Sequence, residues 1–171
     1  IEYTKESFKE NNNRIFFLGA DKNRSSLIQS LKQLFVQSGL DCDVHILSQN
    51  TDAKYKKQFS DILTTQSLSY EEYLAKVESC GILLDIVQTG QQALTMRVLE
   101  SVFLSKKLIT NNPSVKKHAF YHSGNILVLP ETINESLIPT IKEFIQKPFT
   151  PYDMELLTCY DFHHWLTNFD V

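Results

Sequence analysis

The sequence predicts an open α/β fold, a mostly parallel sheet with helices on both faces, from three observations. Short apolar runs closed by a glycine or a polar turn recur along the chain, as in 14-RIFFLG-19 and 81-GILLDIV-87. Segments of helical periodicity lie between them, of which 25-SSLIQSLKQLFVQSG-39 is the clearest. Strands separated by connections of ten or more residues pair in parallel through right-handed crossovers.

Each element has its own justification. Residues 14–19 are apolar enough for a strand buried on both faces. In the first helix Leu27, Ile28, Leu31, Leu34 and Phe35 share one stripe, and Gly39 supplies a stop. A second strand fits 43-DVHIL-47, and the lysine-rich stretch 48–60 reads as loop with a short helix. A third strand fits 62-ILTT-65. Ser69 with Glu72 three residues on is a capping-box pattern, so 69-SYEEYLAKVESC-80 is a helix. Residues 81–87 form the next strand, a helix runs from about Ala93 to Leu104, and 107-KLIT-110 is a further strand. Pro113 opens a short helical turn, 125-NILVL-129 is the last strand, and 135–147 and 151–169 are helical. The whole is a Rossmann-like domain over 14–150, preceded by a linker or fragment start at 1–13 and followed by C-terminal helices at 151–171 that pack back on it.

With 171 residues the chain can bury one core of its own, and 42% apolar with 22% charged residues is ordinary for a globular protein. A net charge of -3 argues against a general nucleic-acid or anionic-membrane binder. No apolar run is long enough to span a bilayer and no signal peptide is evident, so a cytoplasmic location is expected. Cys42, Cys80 and Cys159 are odd in number and form no CxxC pair, so free thiols are expected. Ile1 in place of Met, followed by a polar run to Arg14, is what a piece of a longer protein would show.

The chemistry concentrates in 85-DIVQTGQQALTMRVLESVFLSKKLIT-110. Ligands of open α/β sheets bind at the carboxyl ends of the strands, where residues after Val87 fall. Gly90 permits a tight turn, and a helix starting near 91–93 would aim its free N–H groups at an anion. Arg97 adds a bidentate cation, Thr95 a hydroxyl and Glu100 a carboxylate suited to a sugar diol. A nucleotide diphosphate asks for this set. The plainer alternative pairs Arg97 with Glu100 on the surface and leaves Gln88, Gln91 and Gln92 solvated. A second glycine turn, 19-GADKNR-24, would bring Gly19, Lys22 and Arg24 to the same anion, provided that the two strands are neighbours.

Other motifs carry less. His163, His164 and Trp165 sit side by side on a helix, where adjacent imidazoles diverge, and no cysteine or carboxylate completes a metal set with His118 and His122. The G-x-S-x-G, P-loop and G-x-G-x-x-G patterns are absent. Asp85 in its apolar strand is either a catalytic acid or, more commonly, a cap for a neighbouring loop.

The stretches 15-IFFLGADKNR-24, 69-SYEEYLAKVESCGILLDI-86 and 88-QTGQQALTMRVLESVFLSKKLITNN-112 resemble the C-terminal, donor-nucleotide domain of a GT-B glycosyltransferase. The likeness is to bacterial enzymes of lipopolysaccharide and capsular polysaccharide synthesis, and covers roughly residues 14–130. It implies that Gly19, with Arg24, approaches the diphosphate, and that residues 67–70 lie at the base-contacting loop, unless Tyr70 packs at the helix start instead. It further implies that Gly90, Gln91 and Gln92 line the donor sugar and phosphate, that Arg97 neutralises phosphate charge and that Glu100 holds the ribose. Retaining members carry a glutamate pair of which Glu100 matches the second, while Gln92 stands at the first, which leaves the stereochemical outcome open. Ser105, Lys106 and Lys107 replace the family's usual glycine-proline. Also implied are a nucleotide-diphosphate sugar as substrate rather than cofactor, no metal, a saccharide or lipid-linked acceptor, and a catalytic base in an N-terminal domain outside this chain. Peripheral association of the whole enzyme with the inner face of the membrane would follow. The alternatives are a non-catalytic Rossmann-like or receiver-like interaction domain and half of a nucleotide-sugar epimerase.

Overall fold

The computed structural model describes residues 12–88, 90, 91 and 93–160. Its centre is one sheet of β1 (Arg14–Ala20), β2 (Asp41–Leu47), β3 (Leu63–Thr64), β4 (Ile82–Asp85), β5 (Lys107–Thr110) and β6 (Ile126–Val128). Every pairing is parallel, in the order β3-β2-β1-β4-β5-β6, which makes the fold an open, Rossmann-like α/β sheet.

The period-2 alternation of the strands sorts the apolar residues into two layers. Ile15 and Phe17 of β1 join Ile28, Leu31 and Phe35 of α1 (Ser25–Gln37) and Ile141 and Phe144 of α5 (Ile138–Gln146) on one face. Phe16 joins Val77 of α3 (Tyr70–Ser79), Val98 and Val102 of α4 (Met96–Phe103) and Leu157 of α6 (Met154–Cys159) on the other. Each such side chain contributes about 1.5–3 kcal/mol on burial, so both helical layers are anchored by the apolar stripe of their own sequence. The short α2 (Ala53–Gln58) is capped by Asp52. The expected boundaries hold at α1, where Gly39 turns the chain at φ +90°, and at α3, where Ser69 and Glu72 form the capping box.

Two boundaries differ from expectation. Helix α4 starts at Met96 rather than near 91–93, because Thr95 donates its hydroxyl to Asp85 and Asn112 Nδ2 holds the Ala93 carbonyl at 3.2 Å. Strand β4 ends at Asp85, and Val87 N donates to the Asn111 side chain at 2.8 Å instead of to a neighbouring strand. The tail helix is described only as Met154–Cys159; His163, His164 and Trp165 lie outside the described residues.

The lysines in place of a glycine-proline are buried and structural. Ser105 takes the left-handed conformation at φ 51°, and the two side chains that follow go to opposite helical layers. Lys106 Nζ donates to the carbonyls of Glu78 (2.9 Å) and Cys80 (2.8 Å) at the end of α3. Lys107 Nζ donates to Phe144 (2.7 Å), Ile145 (3.1 Å) and Lys147 at the end of α5. Both lysines thus satisfy helix carbonyls that have no partner within their own helix. Burial, and then the charge of Lys147, draw the Lys107 ammonium down to about 8. All three cysteines are free, and burial pushes the thiols of Cys42 and Cys80 up to about 11, so neither is a thiolate at neutral pH. Among the described residues no helix is long and apolar enough to cross a membrane.

Candidate functional site

The strand order reverses between β1 and β4, which are hydrogen-bonded neighbours. The chain leaving β1 turns to α1 on one face and the chain leaving β4 turns to α4 on the other, so a crevice opens between the two loops. The two glycine turns singled out in the sequence therefore follow neighbouring strands.

From the β1 side, Gly19 makes room for the returning Arg24. A Cβ on Gly19 would lie 2.8 Å from Arg24 Nη2 and 3.0 Å from Phe17 Cζ. Arg24 donates from Nε (3.1 Å) and Nη2 (2.9 Å) to the Ala20 carbonyl and from Nη1 to the Ile86 carbonyl of the chain leaving β4. Lys22 and Asn23 hold left-handed conformations at φ 44° and 60°. Behind this loop Asp21 accepts from Ser25 Oγ at 2.6 Å, from Tyr55 OH and from Ser48 Oγ at 3.4 Å. Burial raises the Asp21 carboxyl, but those hydrogen bonds outweigh it and hold the group below its ordinary range.

From the β4 side, Arg97 Nη2 donates to the Leu18 carbonyl at 2.7 Å, and Nη1 stands 3.8 Å from Asp85 Oδ1. Arg97 Nε is buried with no hydrogen-bond partner among the described residues. Asp85 is fully buried and accepts from Thr95 Oγ1 and Thr110 Oγ1, each at 2.9 Å. It therefore anchors loops rather than facing solvent as an acid would. Arg97 and Arg24 lie over the same Phe17 ring, at 5.0 and 5.2 Å from its centroid. Burial and then the charge of Arg97 pull Arg24 below its ordinary range, against Asp85 and Asp21, which push the other way. Two guanidiniums thus converge on one ring, with the carboxylates of Asp85 and Asp21 acting on them from behind.

Arg97 and Glu100 do not pair with each other. Glu100 Oε2 instead accepts from Tyr73 OH on α3, at 2.6 Å. Tyr73 is the residue that sequence reasoning passed over, since its partner lies 27 positions away on another helix. Tyr70, by contrast, does not pack at its helix start but is 72% exposed.

Gly90 and Gln91 line an open cleft of about 400 Å³ beside this crevice, with Gln88, Asn112, Ser114 and Lys117 among the other walls. Asn111 fixes one wall by donating to the Val87 carbonyl at 3.1 Å. Gln92 lies outside the described residues. The structure thus gathers Gly19, Arg24, Thr95 and Arg97 around Asp85 and Phe17, sets Glu100 on α4 one turn beyond Arg97, and places Gly90 and Gln91 along the adjoining cleft. His118 and His122 serve elsewhere: His118 stacks on Phe120 at 5.1 Å, and His122 Nδ1 accepts from Gly124 N at 3.1 Å. Among the described residues no three histidine, cysteine or carboxylate side chains gather as a metal site. No family model and no curated protein matches this chain.

Proposed function

We propose that the chain is the donor domain of a glycosyltransferase, binding a nucleotide-diphosphate sugar for transfer to a polysaccharide or lipopolysaccharide acceptor. The observation that supports it most is the convergence of Arg24 and Arg97 on Phe17 where the strand order reverses. Two guanidiniums side by side suit a diphosphate, because each matches its oxygens in pairs. The diphosphate lies against this pair, Glu100 takes the ribose, and the cleft at Gly90 and Gln91 takes the sugar. Preorganised cations then stabilise the leaving diphosphate without a metal. Acceptor and catalytic base come from a domain outside this chain, so the chain alone binds but does not turn over.

Titration calorimetry against UDP, GDP, CDP, ADP and dTDP tests this. One of them should bind saturably, and Arg24→Met should weaken it about tenfold or more, the loss of a charged hydrogen bond. Among the described residues Arg24 bonds only main-chain carbonyls, so that variant should keep its circular dichroism. Failure of every nucleotide at millimolar concentration would overturn the proposal, and a non-catalytic interaction domain would take its place.

A further inference from the structure

We propose that Tyr73 is a positioning residue that holds Glu100 off Arg97 and presents it to the vicinal diol of a ribose, an inference that rests on the donor-nucleotide reading. Glu100 and Arg97 are three residues apart on α4, a spacing at which opposite charges close on each other. They have not done so. Arg97 has turned to the Leu18 carbonyl and Asp85, and Glu100 has turned to the phenol of Tyr73.

The phenol is fixed in place from behind. Its ring packs on Phe16 with centroids 5.7 Å apart, so the hydroxyl reaches α4 from a buried base. Burial first, and then the bond to Glu100, push the phenol well above the ordinary tyrosine range, against the charge and the direct contact of the Arg97 guanidinium, so the phenol stands between the two side chains. Tyr73 therefore serves as the hydrogen-bond donor, and Glu100 Oε2 as its acceptor. That single bond occupies Oε2 and selects one side-chain conformation. A carboxylate has about four acceptor positions, and Oε1 makes no hydrogen bond among the described residues. What remains is an acceptor edge of fixed direction, suited to two adjacent hydroxyls. Without Tyr73, Glu100 would be free to swing onto Arg97 and silence both groups.

The test compares UDP, GDP, CDP and ADP, each beside its 2′-deoxy counterpart, on the wild type, Tyr73→Phe, Glu100→Gln and the double variant. Tyr73→Phe keeps the ring on Phe16, and Glu100→Gln keeps the side-chain shape. For the nucleotide that binds, Tyr73→Phe should cost the ribose form about tenfold in affinity and leave the 2′-deoxy form unchanged. The double variant should lose no more than Glu100→Gln alone, because Tyr73 reaches the ribose through Glu100. Equal loss of both forms, additive losses in the double variant, or tighter wild-type binding of the 2′-deoxy form would overturn the inference. A wild type that binds a nucleoside diphosphate while Tyr73→Phe keeps its ribose preference would overturn this inference and leave the donor reading standing. A wild type that binds none overturns both.

Discussion

Asp85 ends a strand whose other three residues are apolar, yet it organises the crevice from within: two threonine hydroxyls and one guanidinium turn towards it. Asp85→Asn would leave Arg97 without its carboxylate, and should cost about 3 kcal/mol, read as a lower urea midpoint. A loss under about 1 kcal/mol would mean that hydrogen bonding alone, without charge, holds this corner. Gly19→Ala should act differently, because the added Cβ meets the end of the Arg24 side chain at 2.8 Å and presses less closely on the buried Phe17 ring at 3.0 Å. The guanidinium would be displaced, so nucleotide affinity should fall about tenfold while the melting temperature moves little; a large drop in melting temperature instead would show that strand β1 cannot yield there. Individual residue types were legible in the sequence: Arg97 and Gly19 both lie at the crevice, and Glu100 follows one turn along α4. Their partners were not, because Leu18, Asp85 and Tyr73 come from other elements, and an i,i+3 spacing on one helix favours Arg97 with Glu100 until those neighbours are in place.

Elements were legible where their ends are decided locally. The capping box of α3 is closed by residues three apart, and Gly39 ends α1 through its own backbone conformation. The start of α4 is decided by Asp85 and Asn112, at ten and nineteen positions' remove, and periodicity carries no trace of either. The same holds for Lys106 and Lys107, which the sequence offers only as a replacement for a glycine-proline and which prove to be carbonyl clasps on α3 and α5. Lys107 has a pH signature. Its folded-state value near 8 is below the ordinary 10.5, so the unfolded chain holds more protons between those values. The burden of the buried charge is fully present below about 8 and is relieved as pH rises towards 10.5. Wild-type stability relative to Lys107→Met should therefore climb across that window, by at most about 1.4 kcal/mol per pH unit. A flat difference in urea melts from pH 7.5 to 10 would show that the three carbonyls hold the proton after all.

At the scale of the whole molecule, alternation of apolar strands with amphipathic helices was enough to predict a parallel sheet with two helical layers. Strand order was not, because nothing in the apolar run of β1 says that β4 rather than β3 will lie beside it; that choice nevertheless creates the crevice. A bound nucleoside diphosphate should slow amide exchange in residues 20–24 and 86–95 and leave the amino ends of the strands unchanged. Protection confined to other segments would move the site elsewhere. The sheet also tapers, from seven residues in each of β1 and β2 to two in β3 and three in β6 at its margins. An extended segment from another molecule would find at most three residues of open ladder at β6, too few to register against. The sheet therefore does not template its own growth from molecule to molecule, and crowding should not drive it to polymerise strand by strand.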